Sequence, residues 1–197
     1  MAKGLQQSFL VVLLMAMVAA CGDTGTAAKD DANAVPDELR KSVAVSIQSP
    51  ELSVPARAMV TWSDRTGGVL GEVGKNPEIE GLLRESIVKN MDQQAYHFTE
   101  HHEQAFFKIS YVLALEKDLN DADLEKYFGL SLGLAGDKGF DKGTLVIDIQ
   151  NKEGQSVWRG ALQANVGKGQ QSEELRNARL NGAVQTLLDS FFRHKAG

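Results

Sequence analysis

Three of the chain's four histidines fall in the run His97-Phe98-Thr99-Glu100-His101-His102-Glu103. Imidazoles and carboxylates at this density are the residue types that hold zinc or copper. If a helix ran through the segment, His97 and His101 would share a face at i, i+4, with Glu100 three residues from His97, which is how helical zinc pairs are built. The order is not His-Glu-x-x-His, so the glutamate that serves as general base in zinc proteases has no counterpart. The run also joins a helical pattern to a strand pattern, and a connector holds ligands poorly. His97, His101 and His102 are therefore weak metal candidates, the expected state is a solvated connector, and no cofactor is expected.

Other constellations fail on spacing. Asp118, Asn120, Asp121, Asp123 and Glu125 have calcium-loop composition, but no register gives both glycine at position six and a carboxylate at twelve; a solvated turn or a helix start accounts for them. Gly71-Glu72-Val73-Gly74-Lys75-Asn76 misplaces the first glycine of a phosphate loop and has Asn where the hydroxyl for magnesium belongs. Gly133, Gly136 and Gly139 lack the strand-loop-helix unit of a dinucleotide fingerprint. Serines and histidines show no nucleophile-base-orienter order. The chain reads as a non-enzyme.

Cys21 is the single cysteine, and it closes the apolar run Phe9–Ala20, which ends Val18-Ala19-Ala20 behind an N-region carrying Lys3. The run is shorter than the roughly 20 residues that span a bilayer. It resembles the lipobox of a bacterial lipoprotein signal, which makes residues 1–20 an address and Cys21 the lipidated first residue of the mature protein. Two or more acyl chains anchor stably where one binds reversibly, because each buried methylene adds about 0.8 kcal/mol. Gly22, rather than aspartate, follows the cysteine, and this is read as delivery to the outer membrane, facing the periplasm. With the thiol consumed, no disulfide or thiolate ligand remains.

The whole chain carries a formal charge of −5, and loss of the signal removes Lys3 but no acid. An acidic domain without a basic block is a poor nucleic-acid binder, since phosphate neutralisation supplies most of that affinity. The expected partners are the membrane, through the lipid, and another envelope protein. Residues 21–41 hold few bulky apolar side chains and cannot repay the entropy of ordering. They form a tether whose flexible end-to-end distance is roughly 20–24 Å. Residues 42–194 are long enough for one core and form a single periplasmic domain.

Within it, Val43, Val45 and Ile47, then Ala58, Val60 and Trp62, alternate with more polar neighbours and predict two strands. Asn76-Pro77-Glu78 is a helix start, and Ile79, Leu82, Leu83, Ile87 and Met91 carry the helix to about Gln94. A strand over 106–115 follows, then an acidic, glycine-rich connection over 116–141. Within that connection Phe128, Leu130, Leu132 and Leu134 alternate with small residues, as an edge strand or a loop laid over the sheet would; an apolar flap is the functional alternative. Strands over 144–150 and 156–166 form a hairpin about Asn151–Gly154. Ser172 caps a last helix whose stripe runs from Leu180 to Phe192. The order β-β-α-β-β-β-α predicts an α+β two-layer sandwich, a mostly antiparallel five-stranded sheet with two helices on one face and the other face partly open.

The hairpin supplies the candidate binding residues. Leu145, Ile147 and Ile149 share a side with Trp158, Leu162, Ala164 and Val166, because a one-residue slip would turn every apolar side chain outward. Asp148, Arg159, Gln163 and Asn165 fall on the opposite side, where no predicted helix covers them. Arg159 offers a planar donor set to a carboxylate or phosphate. The competing account is a cross-strand pair with Asp148, worth about 0–1 kcal/mol if exposed.

Lys142-Gly143-Thr144-Leu145-Val146-Ile147-Asp148-Ile149, the turn, and Val157-Trp158-Arg159-Gly160-Ala161 resemble the hairpin of bacterial lipoproteins grouped as domain-of-unknown-function family 4136. Val60-Thr61-Trp62 is similar to that family's early strand, Gly129–Gly139 to its glycine-rich loop without the usual aromatics, and the helix ending Phe191-Phe192 to its closing helix. The resemblance spans roughly residues 42–193. It implies a lipid-anchored periplasmic domain with no established enzymatic activity and supplies no catalytic residue. The leading expectation is a non-catalytic binding or scaffolding module of the envelope. The alternative is a carrier or sensor of a small apolar ligand with the 128–140 loop as lid, and the third is metal-dependent activity at residues 97–103.

Overall fold

Side chains two apart share one side of a strand, and the computed structural model forms a strand at each of the five stretches expected to be one, with Phe140–Gln150 and Ser156–Gly167 largely buried on both sides. It describes residues 41–64, 67–168 and 172–193. The signal sequence 1–20, Cys21 and the tether to residue 40 lie outside the described residues. In chain order the elements are β1 (Ser42–Gln48), β2 (Ala58–Trp62), β3 (Gly68–Val69), a 3-10 turn at Val73–Lys75 and α1 (Pro77–Asp92). There follow β4 (Tyr96–Phe98), β5 (Phe107–Leu115), α2 (Asp121–Phe128), β6 (Phe140–Gln150), β7 (Ser156–Gly167) and α3 (Glu173–Phe192).

The class is α+β, and the sheet differs from the expected one. It has seven strands in the order β1-β7-β6-β5-β2-β4, with β3 also paired to β5. The pairs β1/β7, β7/β6 and β6/β5 are antiparallel, whereas β2 is parallel to both β5 and β4, and β3 is parallel to β5. The parallel lane has a physical cause. α1 leaves after β2 and β3 and returns the chain to β4 on the same sheet, and a helical crossover delivers the next strand parallel. The predicted hairpin register holds, with Leu145 opposite Leu162, Asp148 opposite Arg159 and Ile149 opposite Trp158. Gly154 takes φ 77°, the left-handed conformation that closes the turn.

Both predicted helices pack on one face. The Asn76 side chain accepts the Glu78 amide and Pro77 opens α1, while the Ser172 hydroxyl accepts the Leu175 amide at the start of α3. Leu83, Ile87 and Met91 of α1, with Val184, Leu187, Leu188 and Phe191 of α3, are buried against Val60, Phe107, Ile109, Ile147, Ile149, Trp158 and Leu162. Phe191 is the hub, its ring centroid 5.6 Å from Trp158, 5.7 Å from Phe107 and 6.1 Å from Tyr96.

The second face is partly covered, and at its β1 edge Ile47, on the same side as Arg159, stays 47% exposed. α2 rises from the acidic segment through a capping box: Asn120 accepts the Asp123 amide, and Asp123 accepts the Asn120 amide. Gly129 ends it at φ 68°, where a side chain would be strained. From there the chain through residue 139 lies across the sheet. Leu119, Leu124 and Leu130 are buried on Ala114, Val146 and Ala161, with Val45, Val112, Phe128 and Leu132 packed around them.

Candidate functional site

The four hairpin residues are brought together as the sequence implied, and α2 and the loop after it occupy them. Asp148 is the centre of one cluster. Its carboxylate accepts Arg159 Nε at 2.9 Å, Gln150 Nε2 at 2.8 Å and the Ser156 hydroxyl. Arg159 also donates Nη1 to the Phe128 carbonyl at 2.9 Å, at the C-terminus of α2. Two of the five guanidinium N–H donors are held by a carboxylate and a helix-end carbonyl, so the cross-strand pair describes Arg159, half-buried with its side chain 20% exposed.

Gln163 and Asn165 form the second cluster. Gln163 donates Nε2 to Asp121 at 2.6 Å and accepts the Leu134 amide at 3.4 Å; Asn165 donates to Asp137 at 3.3 Å. Beside them Lys142, whose side chain is only 4% exposed, places Nζ 2.9 Å from both Glu116 and Asp121. The Gln163 and Lys142 donors hold the Asp121 carboxyl below its ordinary value. Burial alone would lower the Lys142 ammonium, but Glu116 and Asp121 together raise it above its ordinary value. These bonds latch α2 and the loop to the sheet. Asp121 and Lys142 had not been singled out for this role; the sign of it in the sequence was a lysine on an otherwise buried strand, a residue that needs a carboxylate.

The histidines are dispersed. α1 stops at Asp92, so His97 and His101 share no helix face. His97 stands on β4, exposed, with Nδ1 3.0 Å from Asp92; His101 is 3.7 Å from Glu103; and His102 Nδ1 lies 3.4 Å from the Thr61 hydroxyl. Among the described residues no group of three or more His, Cys, Asp or Glu side chains can hold a metal ion. None of the described helices is long and apolar enough to cross a membrane.

The open feature is on the helix face. A cleft of about 620 Å³ lies where the first turns of α1 and α3 meet the ends of β5, β6 and β7. This is within the usual range for small-molecule sites, which combine an apolar wall with a few polar groups. Ile79, Leu113, Val166 and Leu180 are among its apolar lining, and Asp141, Lys168, Arg176 and Arg179 are its charged residues. Lys168 meets Asp141 at 3.6 Å and Arg176 Nη2 meets Glu78 at 3.6 Å. Arg176 Nε is buried and has no hydrogen-bond partner among the described residues. Sequence reasoning passed over this site. Its traces were Gly143 inside a strand, where a Cβ would stand 2.8 Å from Val166 Cγ2, and Arg176 near the positive end of a helix dipole.

No family model matches the sequence, and no curated protein sequence matches it. Solved structures do. A DUF4136 family protein from Bacteroides thetaiotaomicron is similar with TM-score 0.44 and 12% identity, over 79% of this chain and 98% of that one. That is the family the hairpin resembles. The PelC dodecamer from Paraburkholderia phytofirmans is similar with TM-score 0.42 and 10% identity, over 74% of this chain and 97% of that one. A PDZ domain protein from Parabacteroides distasonis is similar with TM-score 0.44 and 12% identity, over 79% of this chain and 37% of that one.

Proposed function

We propose that the chain is a non-catalytic binding module of the envelope, anchored by lipid on Cys21 to the outer membrane and facing the periplasm. Its binding element is the cleft between the helix layer and the sheet. The observation that carries this reading is the contrast in occupancy. Arg159, Gln163 and Asn165 are bonded to the chain's own α2 and loop and Asp148 to Arg159, Gln150 and Ser156, whereas the cleft is an apolar-walled opening with a charged rim.

A photoreactive residue at position 180, inside the cleft, is expected to give strong crosslinks in cells, and one at position 152, in the hairpin turn, weak ones. Equal yields from both would remove the cleft from the reading. Cys21→Ser should abolish lipid attachment; a variant that still partitions into detergent like the parent after signal cleavage would remove the anchor. A small apolar ligand, the second reading, is favoured by the lining itself. Its place moves from the 128–140 loop to the helix face, because that loop is packed on the other side of the sheet.

A further inference from the structure

We propose that the cleft binds a long-chain fatty acid, with the hydrocarbon chain between helices and sheet and the carboxylate at the mouth by Arg176, Arg179 and Lys168. This rests on the cleft being the binding element and adds the chemistry of the ligand.

Two observations support it. The first is depth. Leu113, Gly143, Val166 and Leu180 line both the cleft and an inner recess of about 80 Å³, which reaches between Leu145, Leu162, Ala164 and Ala183. Gly143 on β6, Ala164 on β7 and Ala183 on α3 are small residues facing one another across the layers, and larger ones would close the gap. So small a recess suits the end of one methylene chain.

The second observation is charge. In a chain of net charge −5, three of the four charged residues lining the cleft are cations, with Asp141 the exception. Asp141 and Glu78 each sit 3.6 Å from a cation in a solvated pair, and such pairs are weak enough to exchange for an incoming carboxylate. The partnerless Arg176 Nε is a donor suited to it. A neutral apolar ligand would use none of this.

The test uses the full-length lipid-anchored protein in phosphatidylcholine nanodiscs, with a diazirine-bearing hexadecanoic acid and the matching hexadecanol as probes. Adducts of the acid are expected within residues 162–168 and 176–183. Arg176→Glu, at a partly exposed site, should lower their yield roughly tenfold, as loss of a charge-assisted contact does. Ala183→Val, which narrows the recess with two added methyl groups, should lower labelling with the fold retained; if that variant does not fold, Arg176→Glu decides. Adducts elsewhere, equal labelling by the alcohol, or undiminished labelling of Arg176→Glu would overturn the proposal. Protein crosslinks from position 180 without fatty-acid adducts would retire the ligand and leave the cleft as the binding element.

Discussion

The two faces of the sheet are covered by opposite means. On one, two helices of 16 and 20 residues lay down apolar stripes, and Leu83, Ile87, Met91, Val184, Leu187 and Phe191 pack on large strand side chains. On the other, a helix of 8 residues and a loop cover small strand residues such as Ala114, Val146 and Ala161, with hydrogen bonds from Arg159, Gln163, Asn165 and Lys142 around them. Area buried from water stabilises the first in proportion to its size. The second depends on each polar group finding its partner, since a buried group left unpaired costs more than a bond gains. The first cover opens at its end into the cleft and carries a second groove of about 300 Å³ between α1 and α3. The second is thin and latched.

The largest expected effect is on the helix face. Phe191→Ala removes a fully buried ring that touches Trp158, Phe107 and Tyr96 and should cost about 3–5 kcal/mol in denaturant unfolding; Leu187→Ala should cost about 2–5 kcal/mol. Losses below about 0.5 kcal/mol, the surface range, would mean that α3 is not packed as described.

Next is the network on the latched face. Asp148→Ala leaves Arg159, Gln150 and Ser156 donors without their acceptor, for a loss of about 2–3 kcal/mol in the same assay. A neutral result would make that network decorative.

The latch itself should show in pH dependence. Asp121 is held below its ordinary value by Gln163 and then Lys142, so its contribution is complete above the unfolded value of 3.8 and fades as pH falls through the lower folded one. Lys142 is raised, so its contribution is complete below 10.5 and fades as pH climbs through its folded value. Asp121→Asn should cost about 1 kcal/mol at neutral pH, flatten the acid limb, and speed amide exchange in residues 119–134 more than in α3. An unchanged acid limb would separate Asp121 from the latch.

The smallest effect belongs to the histidines. His101→Ala with His102→Ala should leave the melting temperature unchanged within error, with or without chelator. A metal-dependent rise that disappears in the double variant would revive the metal reading.

The two faces were also unequally legible. Stripes such as Leu187, Leu188 and Phe191, and caps such as Asn76 and Ser172, are long-range periodic or chemically specific signals, and both α1 and α3 stand where they were expected. α2 has too few residues for a stripe, and Leu124 alone of them is buried; its Asn120–Asp123 capping box was the available signal. β4 is three residues long, so it offers a single alternation, and the parallel lane it completes is a property of how α1 crosses over rather than of any local pattern. The register of β6 on β7 followed from apolar alternation, but what covers its polar side depends on contacts between residues 21 to 42 apart. The cleft arises where the ends of five elements fail to fill space, and the pattern of any one segment does not record that.

Thiol accessibility tests the contrast between the faces most directly, because Cys21 is the single cysteine in the sequence and an introduced one is read alone in a Cys21→Ser background. In the native full-length protein, Leu180→Cys in the cleft should react with a maleimide at nearly the rate of an exposed thiol. Ala161→Cys, under α2 and the loop, should react about a hundredfold more slowly, the factor set by an opening free energy of roughly 2.8 kcal/mol, and should speed up when Asp121→Ala is added. Equal rates for the two cysteines, with no response to Asp121→Ala, would contradict the account and leave the second face open.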